Sequence, residues 1–247
     1  MSIVEREFPA KTLVGRWAAS EVFGAFDRHI FPREAKEKMK NLIREGTGVI
    51  ITANHPSGMD PPKILAMLFE DDFFRKTRIT APVGAHQLPK AQLANRIFGA
   101  KLDLIPVVNN HTIEKNPNMN GRKGEGLKQY LKASLETLRE GGIVLVFFQA
   151  GREPTIGTAG KDNIVLEGLY RILDRQNVKP AIAFLGVSIP GVDPQAREYK
   201  KTLSPYLLQV GNVLTREELD RQLQTQGQRV DEYAFEQVKE LVTDEYR

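Results

Sequence analysis

The chain has 247 residues, 41% of them hydrophobic and 27% charged, and no cysteine. That composition is globular, long enough for one large α/β domain with a real core, and it excludes a disulfide framework, a thiolate zinc site and a cysteine nucleophile. The net charge is +4 but uneven: residues 215–247 carry nine acidic and five basic side chains, a net −4, which leaves +8 on the residues before them. A basic body favours anionic partners.

In chain order, Thr12–Ile30 has the spacing of an amphipathic helix, with Leu13, Trp17, Phe23, Phe26 and Ile30 near one stripe. Arg33–Glu45 is a second, charged helix. Gly48–Ala53 is a short buried strand that runs into Asn54-His55-Pro56-Ser57-Gly58-Met59-Asp60. Pro61-Pro62 then start a helix to Phe69. Further strands are expected at Ile79–Ala85, Leu102–Val108, Ile143–Phe148, Ala181–Ile189 and Tyr206–Val213. Helices are expected at Lys90–Phe98, from Leu127 to the Gly141-Gly142 stop, at Asn163–Gln176, and near 215–225 and 231–246. Asn109–Gly126 and Gln149–Gly160 read as loops. The alternation predicts an α/β fold: a mixed, mostly parallel sheet with helices on both faces and a helical N-terminal lobe. The expected division is 1–45 N-terminal helical region, 46–214 α/β domain, and 215–247 C-terminal helices packed on it. No run approaches the roughly 20 apolar residues of a membrane span, and the acidic start is no signal peptide. The expectation is a cytoplasmic protein, with weak peripheral contact to an anionic membrane through the amphipathic 12–30 segment.

His55 and Asp60 carry the strongest chemical signal. A histidine accepts a proton from a hydroxyl at neutral pH, and a carboxylate on its other ring nitrogen fixes the tautomer. A turn containing Gly58 brings Asp60 back toward His55. The same residues also suit a structural role, Asp60 starting the helix and His55 ending the strand. Arg152, in a glycine loop after strand 143–148, is suited to a bidentate phosphate contact, or to a surface pair with Glu153. His111 and the neighbouring Arg122 and Lys123 lie in a polar loop. His29 and His86 read as structural. Gly121–Gly126 lacks P-loop spacing and follows no strand, so nucleotide binding is not expected. No basic–aromatic stripe suggests nucleic acid.

Asn54-His55-x4-Asp60 after an apolar strand resembles the first block of the glycerolipid acyltransferase superfamily. Leu135–Phe148 is similar to the lead into the third block, and Lys179–Gly191 to the fourth. The usual third block is Phe-Pro-Glu-Gly-Thr-Arg, and here it is Phe148-Gln149-Ala150-Gly151-Arg152-Glu153. The second block usually ends in arginine, where Ile105-Pro106 stands here. The pattern is closer to the soluble plastid-type glycerol-3-phosphate acyltransferases, whose Gly-Gly-Arg-Asp resembles Ala150–Glu153 and whose Lys-Lys-His stands where this chain has Asn109-Asn110-His111.

The resemblance implies an O-acyltransferase with His55 and Asp60 catalytic. Arg152, Gly151, His111 and Ser57 would contact the substrate. The donor would be acyl-CoA or acyl-carrier protein, and the acceptor glycerol 3-phosphate, a lysophospholipid or a related anionic alcohol. No metal or further cofactor is implied. A catalytically idle lipid-binding relative of the same fold is the alternative that the missing charged residues favour.

Overall fold

The computed structural model describes residues 21, 26–84, 102–108, 118, 123–149, 155–156 and 165–247. Its strands are β1 (Arg28–Ile30), β2 (Val49–Ala53), β3 (Ile79–Gly84), β4 (Leu102–Val107), β5 (Ile143–Phe147), β6 (Ala181–Ser188) and β7 (Leu207–Leu214). Its helices are α1 (Arg33–Arg44), α2 (Asp60–Phe69), α3 (Asp72–Arg75), α4 (Lys123–Arg139), α5 (Val165–Arg175), α6 (Glu198–Leu203), α7 (Arg216–Gln226) and α8 (Val230–Lys239), with a last 3-10 turn at Asp244–Tyr246.

The strands form one sheet in the order β1-β7-β6-β2-β5-β3-β4. Every neighbouring pair is parallel except β6–β7, so the sheet is mixed and mostly parallel. β2, β5 and β6 are buried at every residue. Uninterrupted apolar runs such as VIITA and IVLVF have no solvent face, so both sides of the central sheet are covered. β2 is the middle strand and pairs on both sides, Ala53 standing level with Phe147 of β5 and Leu185 of β6.

Three sequence expectations need correction. Residues 28–30, expected as the end of a helix, are strand β1. Asp27 accepts from the Tyr206 amide at 2.9 Å, Arg28 donates to the Tyr206 carbonyl at 2.7 Å, and the segment pairs with β7. Pro32 also biases Phe31 away from helix, while residues 12–20 and 22–25 lie outside the described residues. The second correction is that α4 starts at Lys123, inside the expected loop 109–126. Gly126 lies so close to β4 that a Cβ there would sit 2.6 Å from the Pro106 carbonyl oxygen. The glycine thus serves close packing and does not break the helix. Third, the final helix ends at Lys239, and the chain turns back over the sheet: Thr243 donates to Ser188 Oγ at 3.0 Å and the Tyr246 hydroxyl to the Val192 carbonyl at 3.1 Å. The expected helix 90–98 lies outside the described residues. Among the described helices none is long and apolar enough to cross a membrane.

Candidate active site

The connection leaving β2 runs toward β3 on one side, and the connection leaving β6 runs toward β7 on the other. Open α/β sheets form a crevice at the carboxyl ends of strands where connections diverge in this way. Residues 54–60 fill that position.

Asn54 is buried and continues the sheet with its side chain. Its Nδ2 donates to the Val187 carbonyl at 2.8 Å and its Oδ1 accepts from the Val187 amide at 2.7 Å. This two-point contact fixes where the chain leaves β2. On the other side the His55 amide donates to Gln149 Oε1 at 2.8 Å, and Gln149 Nε2 donates to the Thr155 carbonyl at 2.9 Å. His55 is therefore held from both neighbouring strands.

The loop then closes on itself. His55 Nδ1 and Asp60 Oδ2 are 2.8 Å apart, and the Ser57 amide donates to the same oxygen at 2.9 Å. Asp60 is the first residue of α2, where the helix dipole favours a negative charge. Pro61 and Pro62 lack N–H groups and follow in the first turn, where no intrahelical partner exists for them. The His55 ring stacks on Phe147 with centroids 4.3 Å apart. Nε2, its other ring nitrogen, makes no hydrogen bond among the described residues.

Asp60 is fully buried, and its Oδ1 has no partner among the described residues. Burial pushes its carboxyl above the usual range, and the hydrogen bonds from His55 and Ser57 work against that rise without cancelling it.

The short helix α6 lies against this loop. Glu198 Oε1 accepts from Ser57 Oγ at 2.8 Å and from the Gly58 amide at 2.7 Å, while Lys201 Nζ donates to the Pro56 carbonyl at 3.1 Å. One carboxylate and one ammonium thus grip three consecutive loop residues. Beneath them Lys63, on α2 like Asp60, reaches Asp27 at 2.9 Å and so ties the dyad's helix to the start of β1.

Of the residues expected to form the site, His55 and Asp60 are brought together. Ser57 is enclosed, and its hydroxyl is engaged by Glu198 and the Met59 amide. Gly151, Arg152 and His111 lie outside the described residues, as do His86 and Arg122. His29 sits at the sheet edge with Nδ1 2.6 Å from Glu70. Sequence reasoning missed Gln149, Glu198 and Lys201. Gln149 carried a readable signal, a lone amide directly after a buried apolar strand.

The chain matches no known family profile, and no curated protein matches it in sequence. Its fold is similar to a solved structure, the 1-acyl-sn-glycerophosphate (LPA) acyltransferase PlsC from Thermotoga maritima. The TM-score is 0.52 at 16% identity, over 93% of this chain and 77% of that one. At that identity the likeness is one of fold.

Proposed function

We propose that the chain is an O-acyltransferase of the glycerolipid type, moving a fatty acyl group from acyl-CoA or acyl-carrier protein to a hydroxyl of glycerol 3-phosphate, a lysophospholipid or a related anionic acceptor. The observation that carries this reading is the 2.8 Å His55–Asp60 contact at the carboxyl end of the central strand. The fold likeness to an acyltransferase and the block order in the sequence support it.

In this reading Asp60 holds the proton on His55 Nδ1, so Nε2 presents its lone pair to the acceptor. Nε2 takes the hydroxyl proton as the oxygen attacks the thioester carbonyl carbon. The carbon–sulfur bond then breaks, and the proton passes from Nε2 to the departing thiolate. The buried Asp60 charge stabilises the imidazolium formed in between. No nucleophile on the protein is required. Arg152, with Gly151, His111 and the Ser57 loop, would hold the acceptor's anionic group.

A thiol-release assay tests this. Long-chain acyl-CoA or acyl-carrier protein is supplied with glycerol 3-phosphate or lysophosphatidate. Thiol release that depends on both donor and acceptor is expected. No acceptor-dependent release with any pair removes the reading.

A further inference from the structure

Helix α6 carries apolar side chains on the outside. Glu198 and the buried Lys201 bond to the His55 loop, while its two large apolar side chains face solvent: Tyr199 is 57% and Leu203 83% exposed. A surface helix of a globular domain ordinarily turns its large apolar side chains to the core. Tyr199 and Leu203 border a shallow hollow of about 520 Å³ shared with Val192, Lys200 and Asp193.

A third exposed apolar residue lies at the same corner. Phe26 is 85% exposed and precedes Asp27, whose carboxylate accepts from the Tyr206 amide at 2.9 Å, three residues beyond Leu203. The strand register agrees. Arg28 stands level with Leu207, and Leu207 with Ser188, so this corner belongs to the sheet end that carries His55. Among the described residues four large hydrophobics are markedly exposed, and three of them lie on the two chain segments that meet at this corner. Scattered single residues would need no explanation, but a cluster of this kind marks an interaction surface.

Charge narrows the partner. Among the described residues of this corner Arg28, Arg197 and Lys200 are exposed, beside the acidic Asp193 and Glu198, of which Glu198 is bonded to Ser57 and Gly58. Aromatic and aliphatic side chains with interspersed cations suit the interfacial region of an anionic bilayer. We propose that the Phe26–Tyr199–Leu203 corner seats on an anionic bilayer surface. The sequence pointed to segment 12–30 for such contact; the structure adds a site on α6, the helix that holds the dyad loop. The proposal deepens the acyltransferase reading by drawing the acceptor from a lipid surface, yet vesicle binding tests it without any turnover.

The test is co-sedimentation of the full chain with vesicles of equimolar phosphatidylglycerol and phosphatidylcholine, at low and high salt, beside vesicles of phosphatidylcholine alone. Binding is expected on the anionic vesicles, weakened by salt. The double variant Tyr199→Ser/Leu203→Ser should lose about tenfold or more in affinity, and Lys200→Glu should lose chiefly the low-salt binding. Leu127→Ser removes the fourth exposed residue, on α4 beside β4 at the far edge of the sheet, and should change nothing. Circular dichroism shows that each variant is folded. Absence of wild-type binding at low salt, or double-variant binding equal to wild type, overturns the proposal. So does equal binding to neutral vesicles, or capture of an acidic carrier protein by this face with no vesicle binding.

Discussion

Glu198 accepts the Ser57 hydroxyl at 2.8 Å across 141 residues of sequence, and Ser57 in turn donates its amide to the carboxylate that orients His55. The dyad's geometry therefore depends on a helix that contributes nothing to the sheet. Glu198→Ala removes the acceptor of two hydrogen bonds and should cost about 1–2 kcal/mol of stability. It should also lower kcat more than it raises KM, with partial recovery in Glu198→Gln. Amide exchange at Gly58, whose N–H loses its partner, should accelerate. Unchanged exchange at Gly58 would show that α6 does not hold the loop.

His55→Ala should lower acceptor-dependent acyl transfer by roughly 10² or more, the usual scale for losing a general base. The ring lies on Phe147 at the edge of the core, so far-ultraviolet circular dichroism should be unaltered. His55→Gln tests the same point with a side chain that can still bond to Asp60 but cannot carry the proton. Near-normal turnover in both variants excludes His55 as the base.

Asp60→Asn separates activity from stability. An amide keeps the shape, and its oxygen can still accept from His55 and Ser57, but it no longer enforces the tautomer or stabilises the imidazolium. The expected loss is roughly 10²–10⁴ in kcat. Because burial raises the Asp60 carboxyl above its unfolded value, the stability it contributes is complete below the ordinary carboxylate range. That contribution is lost as pH rises through the folded value. The Tm of Asp60→Asn relative to wild type should therefore climb as pH rises above the ordinary carboxylate range. A difference that shrinks with rising pH would mean that Asp60 is stabilised as a charge.

What the sequence made legible follows a physical division. β2, β5 and β6 are short apolar runs that must be buried on both faces, and their positions could be read from composition alone. The His55–Asp60 pair was legible because both partners and the turn joining them lie within six residues. Gln149, Glu198 and Lys201 reach the same loop from 94 to 145 residues away, and no local pattern encodes that approach. α6 was missed for a related reason. Its outward Tyr199 and Leu203 and buried Lys201 run against the pattern by which an amphipathic helix is recognised. β1 was misread because three residues are too few to show alternation, and the apolar stripe of the preceding segment runs into them.

Gly186 tests how the C-terminal tail is seated. A Cβ there would come within 2.5 Å of the Leu241 carbonyl oxygen and 2.6 Å of its carbonyl carbon, both backbone atoms that cannot swing aside. Gly186→Ala should destabilise by about 1–3 kcal/mol, the scale of overpacking a filled core, and lower Tm accordingly. Gly168→Ala, on α5 where the added methyl meets nothing within 4 Å, should be neutral or slightly stabilising. An unchanged Tm in Gly186→Ala would mean that the tail does not cross β6 at this distance.

The remaining prediction concerns Arg152, which lies outside the described residues and follows β5 in the sequence. β2 and β5 are adjacent and parallel, with Ala53 level with Phe147, so the chains leaving them emerge side by side. Gln149, the first residue past Phe148, accepts from the His55 amide. If it holds the acceptor's anionic group, Arg152→Ala should reduce acceptor kcat/KM about tenfold or somewhat more, equivalent to roughly 1.5–3 kcal/mol for a charge-assisted contact. Donor saturation should move little, and so should acceptor-independent hydrolysis of the thioester. Arg152→Lys should recover only part, since lysine keeps the charge but not the planar fork. Paired saturation curves, one varying acceptor and one varying donor, decide the matter. Equal damage to both, or damage to neither, assigns the acceptor's anionic group to another part of the crevice.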